Sequence, residues 1–322
     1  MAERSSTPAR VPFPFVVGSI RSGTTLLRLM LDAHPQLAIP PESYFPLQLW
    51  RQRDRYAQKN GIDLDAVAND LLHDDALHNF RESWKVDPEL VRRHLAGVER
   101  IEFDEVLRRI YGVWAAREGK PRYGDKTPVF VVALDELAGI FPEARFVHII
   151  RDGRDVALSL LDLAHPDHPR TVGRAAHQWA SWVDAGTSAG VGLGPRRYLE
   201  VRYETLVSDT EPELRRICDF IELDFLPTML QPEVRGRTAV PEREQWQHPN
   251  LDRPPTAGLR DWRRDMRPHD VAVFEAVAGR TLAAAGYECS VARLPPSVRA
   301  TAVAVSTRAQ LQRAVAWAQN RM

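Results

Sequence analysis

The sequence predicts an α/β fold, a central parallel sheet flanked by helices, and three stretches of chain predict it. Phe13, Phe15, Val16 and Val17 form a short apolar run, a small polar loop follows, and Leu26, Leu27, Met30 and Leu31 then recur at helical spacing. Residues 145–150 are a second β-rich run that passes at once into helical spacing at Val156, Leu158, Leu160 and Leu161. Residues 197–203 alternate in strand fashion before Glu204 to Leu206 leave the pattern. With 322 residues, 44% hydrophobic and 27% charged, the chain suits one large domain or one domain with a substantial helical insertion.

Lys+Arg and Asp+Glu are each 43, so the chain has no global field to draw in nucleic acid or an anionic membrane, and any anion site must be built locally. Only Lys59, Lys85, Lys120 and Lys126 are lysines, an arginine skew typical of a GC-rich bacterial genome. Cys218 and Cys289 read as two reduced, partly buried thiols of a cytoplasmic protein. Residues 1–11 are expected to be disordered and lack the apolar core of a signal peptide. No run approaches the ~18 apolar residues of a membrane span.

Taken in order, the first strand leads into Gly18-Ser19-Ile20-Arg21-Ser22-Gly23-Thr24-Thr25. Strand, glycine-bounded loop and helix is the layout in which backbone N–H groups and the positive end of a helix dipole face an anion. Gly18 and Gly23 have the spacing of the nucleotide-binding G-x-x-x-x-G-K-[ST] loop, but Thr24 replaces its lysine and the cation lies inside the loop, at Arg21. Residues 36–39 read as a short second strand stopped by Pro40-Pro41, which places Glu42 where ligands meet parallel sheets or, equally, at a helix N-terminus. Residues 44–120 read as a helical insertion, with stripes over 62–72, 90–98 and 103–114 and with Tyr44, Phe45, Trp50, Tyr56, Phe80 and Trp84 as core or pocket aromatics.

Gly124-Asp125-Lys126-Thr127-Pro128 ends a short strand in a loop, and Pro128 suits the first turn of a helix through Leu137. Asp125 and Lys126 read as an exposed ion pair or as functional groups. After the second strand run comes Arg151-Asp152-Gly153-Arg154-Asp155, in which Arg151, Asp155 and Ser159 lie four apart and Arg154 and Asp155 are expected to pair structurally. His34 and His148 read as structural. His165 and His168 make a poor metal site in a proline-punctuated loop. Helices are expected at 173–185, 212–223, 271–284 and 297–320, with a proline-rich loop over 225–255 that covers the active site.

The run GSIRSGTTLLRLMLDAHP resembles the 5′-phosphosulfate loop of sulfotransferases that use 3′-phosphoadenosine 5′-phosphosulfate (PAPS), above all its arginine-containing version in tyrosylprotein sulfotransferases and bacterial enzymes. The segments GDKTP and RDGRDVALS are similar to two further elements of that family. The resemblance implies a P-loop NTPase-like three-layer fold over residues 12–290, with 291–322 as a helical extension. It implies that Ser22, Gly23, Thr24 and Thr25 hold the phosphosulfate. Arg151 and Ser159 would grip the 3′-phosphate, and Glu42 would act as base beside Arg21 and Lys126. Tyr203 and Arg260 are implied cofactor contacts, the latter through a loose match over 256–263. PAPS is then the co-substrate, 3′,5′-adenosine bisphosphate (PAP) the product, and no metal is required. Nothing in 44–120 or 225–255 distinguishes a sugar, a lipid, a phenol, a peptide tyrosine or a polyketide alcohol as acceptor. The expected intracellular bacterial setting favours a small-molecule, glycolipid or natural-product hydroxyl over a secreted protein. An ATP-dependent phosphotransferase and a non-catalytic nucleotide-binding protein are the other classes left open.

Overall fold

The apolar N-terminal run forms β1 (Phe13–Gly18), buried at all six residues, and α1 (Thr24–Asp32) follows the loop. The structure, a computed structural model, describes residues 10–319 apart from 60, 75–76, 78–79, 97–100, 164–167, 235, 249–252 and 255–259. Most of the disordered N-terminus expected at 1–11, together with His165 and the glycine of the 256–263 segment, lies outside the described residues.

The second strand shortens to β2 (Leu37–Ala38), and α2 (Phe45–Arg51) begins with Pro46 in its first turn, where a missing N–H costs nothing. The charged stretch supplies a small hairpin, β3 (Ala57–Gln58) with β4 (Gly61–Ile62), and then α3 (Leu64–His73), α4 (Pro88–Leu95) and α5 (Phe103–Arg117). Asp63 and Asp87 cap α3 and α4 by accepting from backbone N–H groups. After β5 (Arg122–Tyr123) and β6 (Asp125–Lys126), Pro128 opens a 3-10 turn over Pro128–Val132 instead of the expected α-helix, which starts only at α6 (Leu134–Ile140). Three β-branched valines in that turn explain the delay.

The second half continues through β7 (Ala144–Ile150), α7 (Gly153–Asp162), the long α8 (Val172–Leu193), β8 (Tyr198–Arg202), α9 (Tyr203–Ser208) and α10 (Thr210–Phe220). The stretch expected to be loop contains short helices α11 (Gly236–Ala239) and α12 (Glu242–Gln245). Then come α13 (Trp262–Asp265), α14 (Pro268–Ala284) and α15 (Pro296–Gln319).

β6, β1, β7 and β8 form one parallel sheet in that order. The chain leaves β1 for β6 on one side and reaches β7 on the other, so strand order reverses at β1 and a crevice opens at the carboxyl ends there. Register aligns the crevice: Gly18 lies opposite Ile149, and Val16 opposite both Lys126 and Val147. Lys126 is thus on a strand and not in a loop, while β2 pairs with β5 in a separate ribbon.

Helices cover both faces, which is why β1 reads as an unbroken apolar run. Val16, Val147 and Ile149 pack on Leu27 and Leu31 of α1 and Ile217 of α10. Phe13, Phe15 and Phe146 pack toward the insertion, where Phe13 meets the rings of Tyr111, Tyr123 and Phe141 edge-on at 4.9–5.1 Å. A third cluster, around Trp179 and Phe274, joins α7, α8 and α14. Phe45, Tyr56, Phe80 and Trp84 are core residues. Cys218 is buried and Cys289 exposed, so the expected pair of partly buried thiols splits. Among the described residues no helix is long and apolar enough to cross a membrane.

Candidate functional site

The loop after β1 exposes donors because its conformation forbids the usual cap. Gly23 is the residue before α1, at φ 95°, and a Cβ there would lie 2.4 Å from the Tyr203 ring, so glycine is required twice over. Tyr203 therefore forms the floor of the loop. α1 has no side-chain cap and no acidic residue in its first turn, which leaves its positive end for an outside anion. The N–H of Ser22 is turned back to Ser19 O at 3.1 Å, so the amides that remain are those of Gly23, Thr24 and Thr25. Ser22 Oγ is fully buried without a partner. Arg21 stands at φ 69°, a strained position for a side-chain-bearing residue.

Arg21 reaches across to the segment of Arg151 and Ser159. Its Nε donates to Ser159 Oγ at 3.1 Å and its Nη2 to the carbonyl of Gln247 at 2.7 Å. Arg151, at the carboxyl end of β7, donates to Arg21 O at 3.4 Å and stacks over Tyr203 with its guanidinium 4.5 Å from the ring centre. Its carbonyl accepts from Trp179 Nε1 at 3.1 Å, and its Nε is buried without a partner. Burial, then the charges of Arg260 and Arg151, push the Arg21 guanidinium down to about 10, with Glu42 opposing. Arg260 contributes charge at a distance, since its own hydrogen bond goes to Asp162.

The acidic members of this motif are sorted differently from expectation. Arg154 pairs with Asp152 at 2.8 Å and Glu275 at 2.7 Å, not with Asp155, because its side chain turns under the Trp262 ring. Asp155 accepts from the Trp262 N–H at 2.8 Å and faces Arg151 at 3.9 Å. Burial pushes Asp155 up to about 6 against the pull of Arg151 and that N–H.

On the β6 side, Lys126 Nζ meets Glu42 Oε1 at 2.8 Å, and the Tyr44 hydroxyl donates to Glu42 Oε2. The Glu42 side chain caps no helix, since α2 starts at Phe45 with Tyr44 before it. Nor do Asp125 and Lys126 form an exposed pair: they are 0% and 3% exposed, and the lysine pairs with Glu42. Burial works to raise the Glu42 carboxyl, but Lys126, Tyr44 and the more distant Arg28 outweigh it and hold Glu42 below the usual range.

The expected cover is present over the described part of the 225–255 segment. Arg28 Nη2 donates to Ala239 O at 2.7 Å, and Gln247 sits on Arg21. His248 is held neutral by burial and by the charges of Arg21, Lys126 and Arg28, its pKa pushed down to about 3. Sequence reasoning missed Arg28, Gln247 and His248, although Arg28 lies one helical turn beyond Thr24 and Thr25. His34 is buried and accepts from the Gln36 N–H at 3.1 Å. His148 is fully buried beside Tyr198, 2.6 Å away, with burial lowering it to about 3. Among the described residues no His, Cys, Asp and Glu group is arranged to hold a metal ion.

The profile of the Sulfotransferase family matches residues 12–227. Protein-tyrosine sulfotransferase A of Caenorhabditis elegans is 26% identical over 228 residues, 69% of this chain and 53% of that protein. Nodulation protein NoeE of Sinorhizobium fredii is 25% identical over 86% of this chain and 66% of its own length. The sulfotransferase domain of the olefin synthase of Synechococcus PCC 7002 superposes with a TM-score of 0.54 at 26% identity, covering 81% of this chain and 91% of that domain. The chain spans about half the length of the tyrosine sulfotransferases it matches. The matched profile runs over β1, its loop, the β6 lysine and the β7–α7 motif, and on that span the chain belongs to the sulfotransferase family.

Proposed function

We propose that this chain moves the sulfonyl group of PAPS to a hydroxyl of an acceptor and releases PAP. The observation that carries the reading is the contact between Arg21 and Ser159, 138 residues apart, which merges two anion motifs into one crevice. A donor with phosphate at its 5′ and 3′ positions needs two such sites a nucleotide apart. The buried Ser22 hydroxyl and Arg151 Nε, both without partners, fit that ligand, since each is costly to bury until an acceptor reaches it.

When bound, PAPS supplies an activated sulfonyl group; the chain supplies position, charge and a base. Gly23, Thr24 and Thr25 amides, with the hydroxyls of Ser22, Thr24 and Thr25, hold the 5′-phosphosulfate. Arg151 and Ser159 take the 3′-phosphate above Tyr203, and Arg260 adds charge from outside. Arg21 and Lys126 offset the charge that grows on the sulfonyl and bridging oxygens. Glu42 accepts the acceptor hydroxyl's proton as the new O–S bond forms and the bond from sulfur to the bridging oxygen breaks in line. Lys126 links both roles. As it turns toward the sulfonyl oxygens, Glu42 loses its counter-ion and becomes a stronger base. The cover over Arg21 and Arg28 favours a small-molecule, glycolipid or natural-product hydroxyl over the flank of a folded protein.

A thermal-shift titration with PAP, ATP and 5′-AMP tests the reading. PAP at a hundred times its Kd should stabilise by about 2.7 kcal/mol, a shift of several degrees, and 5′-AMP by much less. Equal stabilisation by ATP would remove the 3′-phosphate site and return the phosphotransferase reading.

A further inference from the structure

The loop that carries Glu42 is fixed at nearly every residue. Ile39 donates its N–H to Asp32 Oδ1 at 2.9 Å and accepts from Arg28 at 3.0 Å, and the Pro41 carbonyl accepts from Trp84 Nε1 at 3.2 Å. Ser43 is the central anchor. Its N–H donates to Thr127 Oγ1 at 3.1 Å and its hydroxyl donates to Asp125 Oδ2. The Tyr111 hydroxyl donates to the same carboxylate oxygen at 2.8 Å and lies 3.1 Å from Ser43 Oγ. Ser43, Tyr111, Asp125 and Thr127 are all at most 1% exposed.

Chain order gives this knot its meaning. Ser43 follows Glu42, while Asp125 and Thr127 flank Lys126. Each side chain of the ion pair is therefore covalently next to a member of one buried hydrogen-bonded cluster. Tyr111 brings in α5, so the helical insertion takes part as well.

We propose that Asp125 is a positioning residue, which through Ser43, Tyr111 and Thr127 locks the Glu42 loop to β6 and so sets the geometry of the Glu42–Lys126 pair. The inference rests on the reading of Glu42 as base. Stability alone gives a poor account of Asp125. Burial pushes its carboxyl up to about 6, against the hydrogen bonds from Ser43, Tyr111 and Thr127 and the charge of Lys126. An ionised carboxylate at such a place destabilises the fold at neutral pH, where a neutral residue would cost less. What the anion does provide is one oxygen that draws two hydroxyl donors from different segments to the same point.

The test uses the full chain and needs no acceptor. Ser43→Ala and Tyr111→Phe each delete one oxygen of the knot, and Asp125→Asn deletes its charge. Folding is followed by Tm and the donor half by titration with PAP. The readout is the 13C NMR titration of the Glu42 carboxyl, assigned with Glu42→Gln. Each variant should bind PAP within about twofold of the wild type, while the Glu42 midpoint rises by about half to one unit as the pair with Lys126 loosens. Folded, PAP-binding variants whose Glu42 midpoint stays at the wild-type value would reduce the knot to packing and overturn the inference. Ser43→Ala, the smallest change, decides if Tyr111→Phe does not fold. Failure of the base reading looks different: sulfonyl transfer would survive Glu42→Gln, whatever the carboxyl titration of the knot variants.

Discussion

On the β1–β7 side of the crevice, the Ser22 hydroxyl and Arg151 Nε are buried without partners, and Arg21 is pressed by two other arginines. On the β6 side, both oxygens of Glu42 are engaged, Lys126 has its carboxylate, and the loop behind them is pinned through Ser43. The first side is an unfinished hydrogen-bond network where a ligand would sit, whereas on the second the pair itself is satisfied and the open atom, Asp125 Oδ1, lies behind it. Groups that await a ligand gain when it comes, which is the economy of binding. Groups already satisfied can only exchange partners, which would suit the proposed base role of Glu42, whose strength must change as the reaction proceeds.

The strongest way to break this contrast acts on the finished side. Glu42→Gln should lower turnover roughly 10²–10⁴-fold while the PAP-induced Tm shift stays as in the wild type. Loss of PAP binding in that variant would merge the two sides into one. On the unfinished side, Arg151→Ala should weaken PAP about 10–100-fold, the worth of charge-assisted hydrogen bonds, and leave 5′-AMP unchanged, as read by calorimetry.

A smaller effect divides two carboxylates of the β6 side by pH. Asp125 has a folded pKa of about 6, above its ordinary 3.8, so between these values the folded chain holds a proton that the unfolded chain has lost. Its contribution to stability is thus greatest below about 4 and falls as pH rises through 6. Asp125→Asn should abolish this slope, and its Tm relative to wild type should improve from pH 4 to pH 7. Glu42 has the opposite sign, since its lowered pKa stabilises above its unfolded value and is lost on acidification through the folded one. Lys126→Met should move the acid limb of turnover to higher pH. The smallest effect belongs to Ser22→Ala. Its hydroxyl already lacks a partner, so Tm without ligand should hold or rise, whereas PAPS affinity should fall by roughly threefold to tenfold.

Much of this was legible in the chain because it is local. Glycine spacing at 18 and 23, the passage from strand to helix at Arg151 and the placement of Glu42 after a strand are features of a few consecutive residues. Which groups meet was not legible. Arg154 selects Asp152 and Glu275, the latter 121 residues away, over its neighbour Asp155, because α14 lies against α7. Tyr203 fills the space that Gly23 leaves, and Ser43, Tyr111 and Asp125 come from three separate segments that meet only in the folded chain. Sheet order sets these meetings, and periodicity carries no information about sheet order. The aromatic stretch stayed open between core and pocket for the same reason, since whether a ring lines a pocket or fills a core depends on what covers it.

Gln247 gives one more consequence. Its carbonyl occupies Arg21, 2.7 Å from the guanidinium. An anion that takes this position on Arg21 would displace a tethered oxygen, and only the difference between the two contacts would appear as affinity. A lone phosphate or sulfate would reach only one of the two motifs with which to win that trade. On the proposed reading, a nucleotide anchored at both ends would arrive with its second attachment made, and the protein's own backbone would favour it over small anions.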